Sequence, residues 1–160
     1  MIRAAADEDA EAVVALWTEA YFNEGEGGRD APYARSDFEE TATAATHLLV
    51  SELDGIVVGV VALLAPGEPN RAVAADDEAE LARLVVSATA RGRGIGRALA
   101  NRCTELARSK GWPAIALWSR PYQRAGHRLY ESLGYKRQPE RDSVDETGFE
   151  RLVYRLALER

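Results

Sequence analysis

The chain has 160 residues, 46% of them hydrophobic and 29% charged, which suits one soluble globular domain with one core. A net charge of −6 speaks against a broad nucleic-acid-binding surface, whose affinity comes from neutralising phosphates, but leaves room for a local basic pocket. One cysteine, Cys103, excludes an internal disulfide, no His or Cys spacing suits structural zinc, and no apolar run approaches the roughly 18 residues that span a bilayer. The expectation is a cytoplasmic enzyme or binding protein without metal, membrane or nucleic-acid partner.

Residues 2–5 form a short opening strand. DEDAEAVVALWTEA then reads as a helix, with Ala10, Val13, Val14 and Trp17 on one face and an acidic first turn suited to the helix dipole. FNEGEGGRDAP is turn-rich, and a short helix is expected over about 35–44. This part, 20–45, reads equally as one wall of a substrate cleft or as a surface loop. THLLVSEL and IVVGVVALLA flank Asp54-Gly55, a strong hairpin signal. AELARLVV follows as a strand after a polar connection.

ARGRGIG comes next, and a helix with Leu99, Cys103 and Leu106 on one face follows at once. Trp112 and Pro113 break it, AIALW is a central-strand candidate, and a further helix over about 123–133 stops at Gly134, a C-terminal cap. YKRQ and FERLVYRLAL supply two last strands. The order predicts one continuous α/β domain, residues 1–160, built on a mixed sheet with helical excursions.

On glycine content alone, ARGRGIG is equally a solvated turn or a phosphate site. The order of strand, glycine turn and helix favours the phosphate site, because successive backbone N–H groups and the unpaired amides of a helix N-terminus converge on a small space. Glycine allows close backbone approach, and Arg91 and Arg93 add charge. The Lys followed by Ser or Thr of a nucleotide P-loop is missing, and RGRGIG does not have the dinucleotide-binding spacing.

ELARLVVSATARGRGIGRALANRC resembles the cofactor-binding strand, turn and helix of the GCN5-related N-acetyltransferase (GNAT) superfamily, and GHRLYESLGYKR resembles its later helix and following strand. The turn matches the family pattern at Arg91, Gly94 and Gly96, with Gly92 also common there. Ala88, Gln123 and Gly126 depart from frequent proline, asparagine and alanine. The resemblance implies a single-domain fold whose mixed, mostly antiparallel sheet is splayed between two parallel strands, here about 79–86 and 114–118, and flanked by helices. It implies acetyl-coenzyme A as cosubstrate, held by the backbone at Val85 and Val86, by Arg91, Gly92, Arg93, Gly94, Ile95, Gly96 and Arg97, and near Gln123. A backbone N–H near Val86 would polarise the thioester carbonyl.

By the same resemblance Tyr130 lies near the coenzyme sulfur and protonates the departing thiolate; packing beside its helix is the alternative. Glu80 is the leading proton acceptor, read as sharing a side with Ala82, Leu84 and Val86; an exposed or structural role is its alternative. Glu24 and Glu26 are further candidates. Cys103 and Tyr135 read as packing residues, His127 as a packing or cofactor-edge residue, and His47, in an early strand, has a still weaker catalytic case. The implied reaction is direct attack in a ternary complex by a primary amine of a small molecule, an amino acid-like compound or a protein. Transfer of a larger acyl group and a non-catalytic coenzyme-A-binding module are the competing readings. Segments 20–45, 66–78 and 138–149 shape the acceptor site, and an exposed strand or the C-terminal hairpin leaves room for a homodimer.

Overall fold

Asp54 and Gly55 sit at φ 53° and 77°, the double positive φ that a two-residue hairpin turn requires. In the computed structural model, which describes residues 1–23, 35–36, 38–41 and 46–158, this turn joins β2 (Thr46–Leu53) to β3 (Ile56–Leu64). β1 (Ile2–Ala4) pairs antiparallel outside β2, and β4 (Ala79–Val86) pairs antiparallel beyond β3. The other neighbour of β4 is β5 (Ala114–Ser119), and this pairing is parallel. The sheet continues through antiparallel pairing of β5 to the C-terminal strand β8 (Glu150–Ala157), flanked by β6 (Lys136–Arg137) and β7 (Ser143–Val144).

A turn of 3-10 helix at Asp7–Asp9 leads into α1 (Ala10–Asn23). Residues 35–36 and 38–41 are helical, inside the span expected to be a short helix. Glu24, Glu26 and most of the turn-rich segment lie outside the described residues. α2 (Ile95–Ser109) and α3 (Arg124–Ser132) follow β4 and β5 respectively. α3 ends as its glycine predicts: Gly134 is at φ 96°, its N–H donates to Glu131 O, and Tyr135 N–H donates to Tyr130 O.

The two faces of the sheet carry separate apolar layers. Leu81, Ile115, Leu117 and Tyr154 pack with Leu99 and Cys103 of α2 and with Tyr130 of α3. On the opposite face, Val13, Val14 and Trp17 of α1 meet Val50, Val60, Ala62 and Leu64. The alternating pattern of β2 and β3 fixes which residues go to which layer.

β4 breaks that alternation. Between Ala82 and Val85 it has one more residue than β3 has between Val60 and Ala62, and the extra residue, Arg83, adopts φ 55°. Leu81 and Leu84 consequently face α2 and α3, whereas Ala82 and Val85 face α1. The expected shared side of Glu80, Ala82, Leu84 and Val86 therefore holds only to Ala82. α1 supports the bulge, since the Trp17 indole N–H donates to Arg83 O at 3.3 Å and the Arg83 guanidinium lies 5.7 Å from the Trp17 ring centre.

Candidate active site

β4 and β5 pair at two positions only, Ala79 with Ile115 and Glu80 with Ala116, and then diverge. Burial follows the pairing. β4 is buried through Leu81 and only half-buried from Ala82 to Val86, although Leu84, Val85 and Val86 are apolar. An apolar strand end left half-open between two parallel strands is a cleft for an extended ligand.

Backbone donors line that cleft. Ser87 N–H donates to Val58 O at 2.7 Å, so the alternation of an antiparallel ladder turns Val85 toward β3 and the N–H and C=O of Val86 toward the fork. Of the two valines expected to meet the ligand through their backbone, Val85 pairs with Val60, whereas Val86 turns its N–H to the fork and its C=O accepts from Arg91 Nε at 3.4 Å. A 3-10 turn, Ala88–Ala90, follows β4, a feature that the glycines after it obscured in the sequence.

Gly92 and Gly94 are at φ 79° and 76°, and a Cβ on either would meet nothing within 4 Å, so conformation rather than crowding selects glycine and the space beside the turn is open. Gly94 is the N-cap of α2, and no side chain caps that terminus. The first intrahelical bond is Ala98 N–H to Gly94 O at 3.0 Å, which leaves the amides of Ile95, Gly96 and Arg97 without helical acceptors. Arg91 and Arg93 are exposed beside them. This donor-rich, acceptor-poor turn fits a pyrophosphate. Ile95 packs partly into the core, and Arg97 ties α2 to α3 through Ser132 Oγ at 2.7 Å.

Gly59 brings the helix terminus to the fork, and sequence reasoning passed over it. A Cβ there would lie 2.9 Å from Ile95 Cγ2 and 3.0 Å from Leu99 Cδ1, so α2 seats directly on β3 at this point. The signal available was a glycine inside an otherwise apolar strand, which marks close approach.

α3 lies across the same cleft. Gln123 occupies its N-cap, and its Oε1 accepts from Ser119 Oγ at 2.9 Å and from Arg120 N–H at 2.8 Å, closing the β5–α3 turn. Tyr130 is 9% exposed, with its ring 5.7 Å from Tyr135 and 6.3 Å from Tyr154. A Cβ at Gly126 would touch the Tyr130 ring at 3.5 Å, an ordinary contact. The His127 Nε2 lies 2.9 Å from Arg120 O and its ring packs beside Tyr154. Cys103 is buried in the core, which pushes its thiol up to about 12. Tyr135 is buried and packs edge-on to Tyr130.

Glu80 stands at the apex of the fork, 1% exposed, and its carboxylate is engaged by backbone. Oε1 accepts from the amides of Ala72, Val73 and Ala74 at 2.7–3.0 Å, and Oε2 from Ala72 at 2.9 Å. Glu78 grips the same loop by accepting from Ala75 N–H, Arg141 and Arg155. Burial raises the Glu78 carboxyl, but the bonds from Arg141, Ala75 and Arg155 outweigh it and hold the group at about 2. Arg141 also donates to Val73 O at 2.7 Å. Segments 66–78 and 138–149, read separately as walls of an acceptor site, are thus joined by one ion-paired knot.

An open sheet forked between two parallel strands, with a glycine turn and bare helix terminus at the fork, defines an acetyltransferase fold. The chain matches the Acetyltransferase (GNAT) family over residues 10–135 and belongs to it. Among relatives, the N-acetylaspartate synthetase of Rattus norvegicus is 40% identical over 87 residues, 54% of this chain and 27% of that protein. The chain thus spans about a quarter of that relative's length. An N-acetyltransferase structure from Staphylococcus aureus Mu50 superposes with a TM-score of 0.78 at 23% identity, covering 99% of this chain and 98% of that one. The Salmonella typhimurium protein yncA, solved with its cofactor acetyl-CoA, superposes with a TM-score of 0.75 at 21% identity, covering 100% and 94%. Among the described residues, no helix is long and apolar enough to cross a membrane.

Proposed function

We propose that this acetyltransferase moves the acetyl group of acetyl-coenzyme A to a primary amine of a small molecule, by direct attack in a ternary complex. The observation that carries the reading is the β4–β5 fork, where Val86 turns its backbone N–H to the cleft beside the uncapped N-terminus of α2. Acetyl-coenzyme A supplies an activated thioester, so no covalent enzyme intermediate is needed. The amides of the 91–96 turn, with Arg91 and Arg93, hold its pyrophosphate, and the half-open edge of β4 runs beside its pantetheine arm.

In this reading Val86 N–H donates to the thioester oxygen as negative charge develops there. Tyr130 O–H donates its proton to the sulfur as the C–S bond breaks and the new C–N bond forms. The proton released by the amine leaves through water at the fork apex. Glu80, its carboxylate committed to three amides, acts by holding the 72–74 loop. The buried, unpaired thiol of Cys103 suits a cytoplasmic enzyme.

The test is a thiol-release assay with acetyl-, propionyl- and succinyl-coenzyme A across a broad amine panel, with mass spectrometry of the products. Acetyl transfer to at least one amine class supports the reading. A protein that binds the coenzyme with no transfer to any amine refutes it in favour of a binding module, and a preference for succinyl transfer refutes the acetyl assignment.

A further inference from the structure

On the α1 face of the sheet, the described residues of α1 pack on β3 and β4, and β5 and β8 lie past the fork apex. That area is occupied by Trp118 of β5 and by arginines. Trp118 lies two residues beyond Ala116, the last parallel partner of β4, and is half-buried beside the widening cleft. Arg120 lies 4.5 Å from its ring centre, is 1% exposed, and is neutralised by Asp145 at 3.0 Å. Thr147, Phe149 N–H and Arg120 hold the Asp145 carboxyl well below the usual carboxylate range. Arg120 is therefore closed off as structure.

Arg151 is different. It follows the same side of β8 as Val153, the register partner of Trp118, and its guanidinium lies 5.5 Å from the Trp118 ring centre. Its Nε is buried with no hydrogen-bond partner, and among the described residues Arg151 makes no ion pair. A buried N–H without an acceptor is destabilising, and in native structures such groups are few. With Arg120 and Asp145 cancelling, Arg151 is the uncompensated charge on this aromatic platform. A guanidinium presents paired donors that match a carboxylate in two-point geometry.

We infer that Arg151, stacked on Trp118, binds a carboxylate of the acceptor, so that the acceptor amine is an amino acid or a close analogue. This rests on the acetyltransferase reading of the fork and refines it. The net charge of the chain, which by itself suits a cationic acceptor, does not set this pocket. Coenzyme phosphates are served separately by the 91–96 turn at the N-terminus of α2, the helix on the opposite face.

The test compares amino acids with their own carboxamides as acceptors for the wild-type protein, Arg151→Gln and Arg151→Lys. The wild type is expected to favour the acid over the carboxamide by at least about 10-fold in kcat/KM. Arg151→Gln should lower kcat/KM for the acid by about 10- to 100-fold, mainly through KM, with coenzyme A affinity and carboxamide turnover changed less than about threefold. Arg151→Lys, which keeps charge but loses the paired donors, should fall between. Equal use of acid and carboxamide by the wild type, or equal losses on both in Arg151→Gln, overturns the inference. Titration calorimetry of the amino acid into the protein–coenzyme A complex separates this from the transfer reading. Acid-selective binding that Arg151→Gln abolishes, without any turnover, upholds the carboxylate site and refutes acetyl transfer. Turnover without acid selectivity does the reverse.

Discussion

Replacing Glu80 separates anchoring from proton transfer. In Glu80→Ala the amides of Ala72, Val73 and Ala74 lose every bond to the carboxylate, which comprises four contacts of 2.7–3.0 Å. Each amide left without its acceptor costs about 1 kcal/mol after partial rehydration, so the variant should lose roughly 3 kcal/mol. Glu80→Gln keeps one acceptor oxygen but sets an amide N–H against Ala72 N–H and removes the charge, and should lose about 1–2 kcal/mol. Urea unfolding followed by circular dichroism measures both, read as a shift of the midpoint at constant slope. Kinetics supply the discriminating readout. As an anchor, Glu80→Gln should raise the acceptor KM, leave coenzyme A affinity in place and preserve the shape of the pH–rate profile. A general base predicts the opposite pattern. A loss of about 100-fold or more in kcat, with the acidic limb of the profile gone and stability unchanged, would refute the anchoring account.

Gly59→Ala places a Cβ 2.9 Å from Ile95 Cγ2 and 3.0 Å from Leu99 Cδ1, an overpacking that should destabilise by about 1–3 kcal/mol. Because it pushes the N-terminus of α2 from the fork, it should also weaken coenzyme A binding by calorimetry; unchanged stability and affinity would argue against so close a seat. Glu78 titrates from an ordinary value of 4.5 down to about 2 in the folded chain, so its contribution is complete above about pH 4.5 and is lost as pH falls through about 2. Glu78→Gln should flatten the pH dependence of stability over that window, and an unaltered acid transition would contradict the ion-paired knot.

Local chemistry was legible where one or two residues decide the backbone. Asp54-Gly55 and Gly134 announced a turn and a cap because both require positive φ, and the 91–96 turn announced itself by its glycines and the helix after it. The Arg83 bulge gave no such sign, since a non-glycine at φ 55° is imposed by pairing with β3 and by the Trp17 contact from far along the chain. Reading strict alternation through it misplaced Leu84 and Val86 relative to Glu80. Glu80 itself is an acidic residue in a strand by sequence, and only the fold brings Ala72, Val73 and Ala74 onto its carboxylate. Arg141 meets Glu78 across 63 positions, beyond any local pattern. Nothing local singles out Arg151 in its terminal strand; only the fold sets it beside Trp118 and the closed Arg120–Asp145 pair. The role proposed for Tyr130 comes from resemblance, since its helix alone leaves packing as the alternative.

The central claim is that acetyl transfer takes place at the fork between β4 and β5, with Tyr130 as the proton donor. The most direct measurement is turnover of Tyr130→Phe beside its coenzyme A affinity, using an amine that the wild type acetylates. Removal of a positioned acid predicts a fall in kcat of about 100-fold or more, with a dissociation constant for coenzyme A within about twofold of wild type. Equal turnover in Tyr130→Phe would contradict the account.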